Sequence, residues 1–553
     1  MDDYKTSKEA FVSGMTGSTI GHINMVSFAA LSSISLNYAL RTRLPPNRTE
    51  HLALEMLTLV LPLLLSITLY AEAPGMLNIM LLLPTGLLLL VPRRETGIPL
   101  PSTLRSSPST SPYRGRVRTA EDLSDSPTSV LVPRLPALTT YRAHMLLLTF
   151  LAILAVDFPV FPRMLAKCES YGVSLMDIGV GSFIFSQGVV SAIPLIKSPA
   201  YLTQPLLPKM LSTARKCAPI FLLGIIRTLS VKGVEYPEHQ TEYGTHWNFF
   251  ITLGCIPILE VVLHPLMVSL PISLLGVSVA LLQQSLLSYS LMDYVFHAPR
   301  TGLISHNKEG IVSLLGYLAV HLLGLSTGTL VLPPTPSYFR KRQREIASER
   351  SPRRRPRAHD SDSESDDSTG PQRTRPTPAS TVAERRENDK TAIELCSYAV
   401  LWWVLLGASK LFGIGGDVSR RLVNLQYILW IAAYNVTFLL GYMCLDLAFF
   451  ASPFSRSTYS PYSKLKVQPD PAMLKKDERH GMAAEGSAPA LLEAINRNGL
   501  SMFLLANLAT GVVNLSMKTM YASDAVAMIV LSGYALAICV VAWVFRSRHI
   551  WRL

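Results

Sequence analysis

Apolar residues run along this chain in stretches of about 17–25, interrupted by short polar segments, which is the pattern of membrane-crossing helices rather than of a soluble core. Thirteen spans are predicted, near residues 18–40, 51–70, 74–92, 143–159, 174–195, 214–231, 246–264, 270–292, 308–331, 391–412, 422–446, 497–518 and 523–545. The first and fifth are rich in Gly and Ser, residues that let helix backbones approach closely in a membrane. The fold class expected is therefore all-α, a polytopic integral membrane protein.

The polar residues between spans are unevenly distributed. The tail at 546–552 is basic and is placed in the cytoplasm by the positive-inside rule. An odd number of spans then puts the N-terminus in the lumen. With this choice about 38 of the 51 Lys and Arg fall in cytoplasmic loops and about 11 in lumenal ones.

Two cytoplasmic segments break the apolar pattern at length. Residues 93–141 are rich in Ser, Pro, Thr and Arg, and 332–390 carry Arg353-Arg354-Arg355 and then an acidic run at 360–367. Neither holds enough apolar surface to fold, so both are expected to be disordered. The expected organisation is spans one to three in 1–92, a loop at 93–141, spans four to nine in 142–331, a charged loop at 332–390, and spans ten to thirteen in 391–553.

Composition agrees. Hydrophobic residues make up 49% of the 553 and charged residues only 16%, against about a quarter in soluble domains. The formal charge of +13 sits largely in the loops, where positive-inside topology and anionic lipid account for it without nucleic acid. The six cysteines show no metal-ligand or redox spacing, and no metal site is expected. The first 17 residues are polar and mixed in charge, so no cleavable signal peptide is expected. There is no Walker loop, HExxH or CxxC motif.

Candidate chemistry lies where ionisable groups meet the spans. One cluster closes the fourth span: Asp157-Phe158-Pro159-Val160-Phe161-Pro162-Arg163, then Lys167 and Glu169. Its prolines end the helix and make a lumenal turn that gathers carboxylate, guanidinium and ammonium, a combination able to set a general base. A second is the lumenal loop 228–248, with Lys232, Glu235, Tyr243, His246, Trp247 and Asn248, polar and aromatic groups suited to a sugar or lipid headgroup. Further candidates are Arg300, Arg421 and Asn424, and Asn507 with Asn514, seven residues apart on one helical face. Gly14-Met15-Thr16-Gly17-Ser18 offers either backbone approach to a ligand or a capping turn. His321 lies inside the ninth span; membrane-bound O-acyltransferases carry a catalytic His in a span, but a lone intramembrane His is a weak signal.

Taken together these segments resemble the inositol acyltransferases of glycosylphosphatidylinositol (GPI) anchor biosynthesis. The resemblance is carried by Phe11 to Gly14 with Thr16-Gly17-Ser18, by 157–163 through Lys167 and 171–181, and by 242–250. It continues through 307–311, 420–430, 504–508 and 514–517. It covers the membrane domain and leaves out the two long loops. It implies a multi-pass enzyme of the endoplasmic reticulum membrane. Its expected co-substrate is acyl-CoA, usually palmitoyl-CoA, with no permanently bound cofactor. The acceptor is the inositol hydroxyl of glucosaminyl-phosphatidylinositol. It implies Asp157 and Lys167 as the catalytic pair. Arg163, Arg300, Arg421 and the 232–248 loop are candidates for phosphate and sugar. Met15 departs from the Cys often found there. The competing classes are a polytopic lipid transporter, an O-acyltransferase with another acceptor, and a noncatalytic lipid-binding scaffold.

Overall fold

The structure, a computed structural model, describes residues 7–8, 10–11, 13–44, 51–93, 132, 134–231, 240–350, 387–450 and 488–550. Each of the thirteen predicted segments falls on a helix. In chain order these are α1 (Ile20–Arg43), α2 (Leu52–Ile67), α3 (Pro74–Leu89), α4 (Pro136–Ala155), α5 (Leu175–Lys197), α6 (Leu206–Val231), α7 (Phe249–Ser269) and α8 (Ile272–His297). They continue with α9 (Lys308–Val331), α10 (Tyr338–Arg350), α11 (Asn388–Leu411), α12 (Leu425–Phe449), α13 (Ala490–Arg497), α14 (Gly499–Ser516) and α15 (Asp524–Val544). Among the described residues there is no β-strand, only an isolated bridge that joins Gly17 and Ser18 to Val173.

Ten of these helices are long and apolar enough to cross a membrane, against the thirteen expected. Two of the remainder, α2 and α3, are apolar but short. The third is α6, which starts eight residues before the predicted span and so adds Lys209 to Arg215, Lys216 and Arg227 already within it. Two other expectations are corrected. The fourth helix begins at Pro136, inside the segment expected to be a disordered loop. Within the second such loop, residues 338–350 form α10. Phe339 is buried there, and Gln343 donates to the carbonyls of Met267 and Leu270 at the end of α7. Residues 94–131 and 351–386 lie outside the described residues.

The bundle is organised around α9, which is buried along most of its length. Its closest partner is α5, and the approach depends on glycine. A Cβ on Gly188 would collide with the His321 carbonyl, one on Gly324 with the Phe185 carbonyl, and one on Gly328 with the Val189 carbonyl. Gly324 and Gly328 are one turn apart, the small-xxx-small spacing that brings helix backbones together in membranes. Around this pair, α6 packs on α7, α11 on α12, and α4 against α12, α13 and α14. α1 holds α3 partly through polar contacts, with Ser32 donating to Asn78 Oδ1 and Asn78 Nδ2 to the Met25 carbonyl.

The alternation of spans brings the polar clusters to one end. There the last residues of α4, α6 and α14 meet the first residues of α1, α5, α7, α9 and α12.

Candidate active site

α4 stops at Ala155. Pro159 and Pro162 follow, and a residue before proline is pushed out of the helical region. Asp157 therefore sits on the first turn beyond the helix and is buried, at 5% exposed. Two groups from opposite ends of the sequence hold its carboxylate. Lys8 lies 3.3 Å from Oδ1, and Asn514 at the end of α14 donates to Oδ2 at 2.8 Å. Lys8 also donates to Asn514 Oδ1 at 3.1 Å, which closes a three-residue ring.

Lys167 lies ten residues further on but is paired elsewhere. Its ammonium donates to both carboxylate oxygens of Glu242, at 2.9 and 3.0 Å. Glu242 also accepts from Arg420 Nη1 at 3.1 Å, and Arg420 Nε donates to Asp177 Oδ1 at 2.7 Å. Asp177 is fully buried, and its Oδ2 accepts from Ser174 Oγ and from the Cys168 amide. Ser174 in turn caps α5. The chain Lys167–Glu242–Arg420–Asp177 thus fastens the 157–174 turn to the segment before α7 and the turn before α12.

This arrangement fixes ionisation. Burial would raise the Glu242 carboxyl, but Lys167 and Arg420 outweigh it and hold it at about 2, against an ordinary 4.5. A group depressed on folding contributes stability that is complete above its unfolded value and lost as pH falls toward the folded one. The thermal midpoint of the native protein should therefore exceed that of Glu242→Gln near neutral pH. The gap should shrink between pH about 5 and about 2. A pH series of detergent-solubilised unfolding checks this; a gap that stays constant across that window contradicts it.

Both polar centres open onto one cavity of about 380 Å³. Its charged lining comprises Lys8, Lys167, Arg227 and Arg420 with Asp157, Glu169 and Glu242. One cation in excess suits a monoanionic phosphodiester. Of the residues singled out in the sequence, Asp157, Lys167, Glu169, Tyr243, Trp247, Asn248 and Asn507 line this cavity.

Others have different partners. Arg300 and Arg421 both bind Glu309 Oε1, at 2.5 and 2.9 Å, and Glu309 is fully buried. These two arginines neutralise a buried carboxylate, and neither lines the cavity. Arg163 donates to the carbonyls of Phe158 and Phe161 and stacks on Phe11 at 4.1 Å, so it braces the turn. Asn424 caps α12 and donates to the Gly415 and Asp417 carbonyls, and Asn248 caps α7. His246 lies beside His306, away from the cavity lining, and its amide donates to Asn307. Lys232 and Glu235 lie outside the described residues. Gly17 has φ +80° and packs on Val173, while Thr19 caps α1, so the glycine segment is a turn against α5.

His321 does not line the cavity. It binds Glu260 of α7 at 2.8 Å, and Glu260 also contacts His264, 3.4 Å away. The residues that sequence reasoning missed are Lys8, Arg227, Glu242 as the partner of Lys167, and Arg420. Lys8 sits in a polar stretch with nothing to mark it. Glu242 and Arg420 lie inside segments already singled out, but each beside a more conspicuous neighbour.

Comparison with known proteins supplies the family. The GWT1 family model matches residues 4–545. This chain belongs to the GWT1 family. It is similar to GPI-anchored wall transfer protein 1 of Cryptococcus neoformans var. neoformans, 36% identical with all of both chains covered. The protein of that name from Aspergillus fumigatus is 36% identical over 99% of this chain and 98% of its own, and that from Yarrowia lipolytica 34% over 100% and 99%. A GWT1-family match over nearly the whole chain agrees with a resemblance that the sequence motifs carried across the entire membrane domain.

Proposed function

We propose that this GWT1-family protein acts in GPI-anchor biosynthesis in the endoplasmic reticulum membrane, with its N-terminus lumenal and its C-terminus cytoplasmic. In this reading it transfers a fatty acyl chain, palmitoyl in the first instance, from acyl-CoA to an inositol hydroxyl of glucosaminyl-phosphatidylinositol. The observation that carries it is a single cavity whose charged end holds Asp157 and Lys167 and whose largely apolar wall runs along α4. Such a shape matches a polar acceptor meeting a long acyl chain, and the relatives' own name refers to GPI-anchored wall transfer.

Asp157 takes the proton of the inositol hydroxyl as its oxygen attacks the thioester carbonyl. Negative charge develops on the former carbonyl oxygen, and Lys167 stabilises it. The intermediate collapses by breaking the C–S bond, and the sulfur leaves with the proton held by Asp157. The products are an acyl-inositol ester and free CoA thiol. Lys8 and Asn514 orient the base, and Glu242 and Arg420 hold Lys167. A transporter would instead place its polar groups at paired broken helices near the membrane midplane; here the charged lining gathers at one end.

Purified protein given labelled palmitoyl-CoA and glucosaminyl-phosphatidylinositol should form a labelled, alkali-sensitive acyl-inositol lipid. Folded protein that forms none in detergent or in nanodiscs overturns the reading.

A further inference from the structure

The cavity has a second end. Away from Asp157 its lining returns along α4 at positions 156, 153, 152, 149, 148, 145, 144 and 141, alternating steps of one and three that keep to one helical face. At about 1.5 Å per residue, the path from Asp157 back to His144 is roughly 20 Å. The wall between is mostly apolar, with Met145, Leu148 and Ile153 of α4 and Phe183, Phe438 and Phe503 from three other helices, and Thr149 and Ser182 as polar members.

The bore then meets polar side chains. Tyr141 donates to Asn435 Oδ1 at 2.5 Å, and His144 Nδ1 shares a hydrogen bond of 2.8 Å with the Tyr442 hydroxyl. All four line the cavity, and none is more than 4% exposed, so this end is closed. Behind it Tyr38 donates to Asp446 and packs on Phe449 and Phe450. His144 Nε2 has no hydrogen-bond partner among the described residues. An alkyl group pressed against a buried polar atom gives it no partner and is disfavoured.

We propose that the Tyr141–His144–Asn435–Tyr442 group is a gauge that sets the length of acyl chain this protein transfers. The inference rests on the acyl-transfer reading above. An all-staggered alkyl chain advances roughly 1.3 Å per carbon, so about 20 Å holds about 16 carbons. With the thioester carbon at Asp157 and Lys167, the methyl end of such a chain reaches His144. A longer chain has to buckle or drive apolar carbon against the polar floor. A shorter one leaves part of the bore unfilled and loses the contacts there.

The test is acyl-CoA competition with chains of 12 to 20 carbons, using the full-length protein and glucosaminyl-phosphatidylinositol. The native protein should peak near 16 carbons. His144→Ala lowers the floor and should raise the rate ratio of 20-carbon to 16-carbon donors at least about fivefold. Leu148→Trp fills the bore partway and should raise the ratio of 12-carbon to 16-carbon donors by a similar factor. If His144→Ala does not elute as folded protein, Leu148→Trp decides alone. Folded variants with the native chain profile overturn the gauge while leaving acyl transfer standing. Native protein that transfers no chain of any length overturns the acyl-transfer reading itself.

Discussion

Asp157→Asn should lower the rate of acyl transfer by about a thousandfold or more while the protein stays folded. The amide keeps the shape and one acceptor oxygen, so Asn514 can still be bound, but it cannot take a proton from the inositol hydroxyl. Lys167→Ala should cost about a hundred- to a thousandfold, the range seen when one oxyanion donor is removed. The two losses should differ in their dependence on Lys8. Lys8→Met removes the cation beside the Asp157 carboxylate, so it should lower the rate while leaving the Lys167–Glu242 pair in place. Size-exclusion elution and thermal midpoint separate a chemical effect from unfolding. Asp157→Asn with more than about a tenth of native activity would sink the assignment of the base.

The second large effect is on stability. Arg420 joins two carboxylates, and its guanidinium is 4% exposed. Arg420→Met leaves Asp177 buried without its cation and Glu242 with Lys167 alone. Breaking a buried pair from one side costs about 3–5 kcal/mol. Arg420→Lys should recover only part of this, because an ammonium cannot span two carboxylates as a planar fork does. Denaturant or thermal unfolding in detergent measures it, and a loss under about 1 kcal/mol for Arg420→Met would show that the network is not holding the turn. Acyl transfer should fall in the same variant, since Glu242 would no longer be held in place behind Lys167.

Much of the architecture was legible because a membrane demands it. A helix must satisfy its own backbone in lipid, so apolar length alone located thirteen helices. Alternation then put 157–174, 240–248, 412–424 and the end of α14 on one side. Pairing was not legible, because it is set by which helices are neighbours. Arg420 and Arg421 show the limit. They are adjacent, yet Arg420 turns to the cavity and Arg421 to Glu309, in a non-helical turn where Val423 takes φ +47°. No local pattern tells such neighbours apart. Glu260 and His264 stand four apart in the seventh span, and a carboxylate there predicts a partner across the bundle. That partner is His321, whose isolated appearance in the sequence had suggested chemistry of its own.

The ring of Lys8, Asp157 and Asn514 has a consequence for how the protein is made. Lys8 and Asn514 are separated by 506 positions, and chains emerge from the ribosome at about 5–20 residues per second. Asp157 and Asn514 are 357 positions apart, so for roughly 20–70 s of synthesis the carboxylate exists without the amide that will hold it. The α4 bore is likewise without Phe503 until α14 is inserted. On the proposed reading, acyl transfer can begin only once the fourteenth helix has closed the wall.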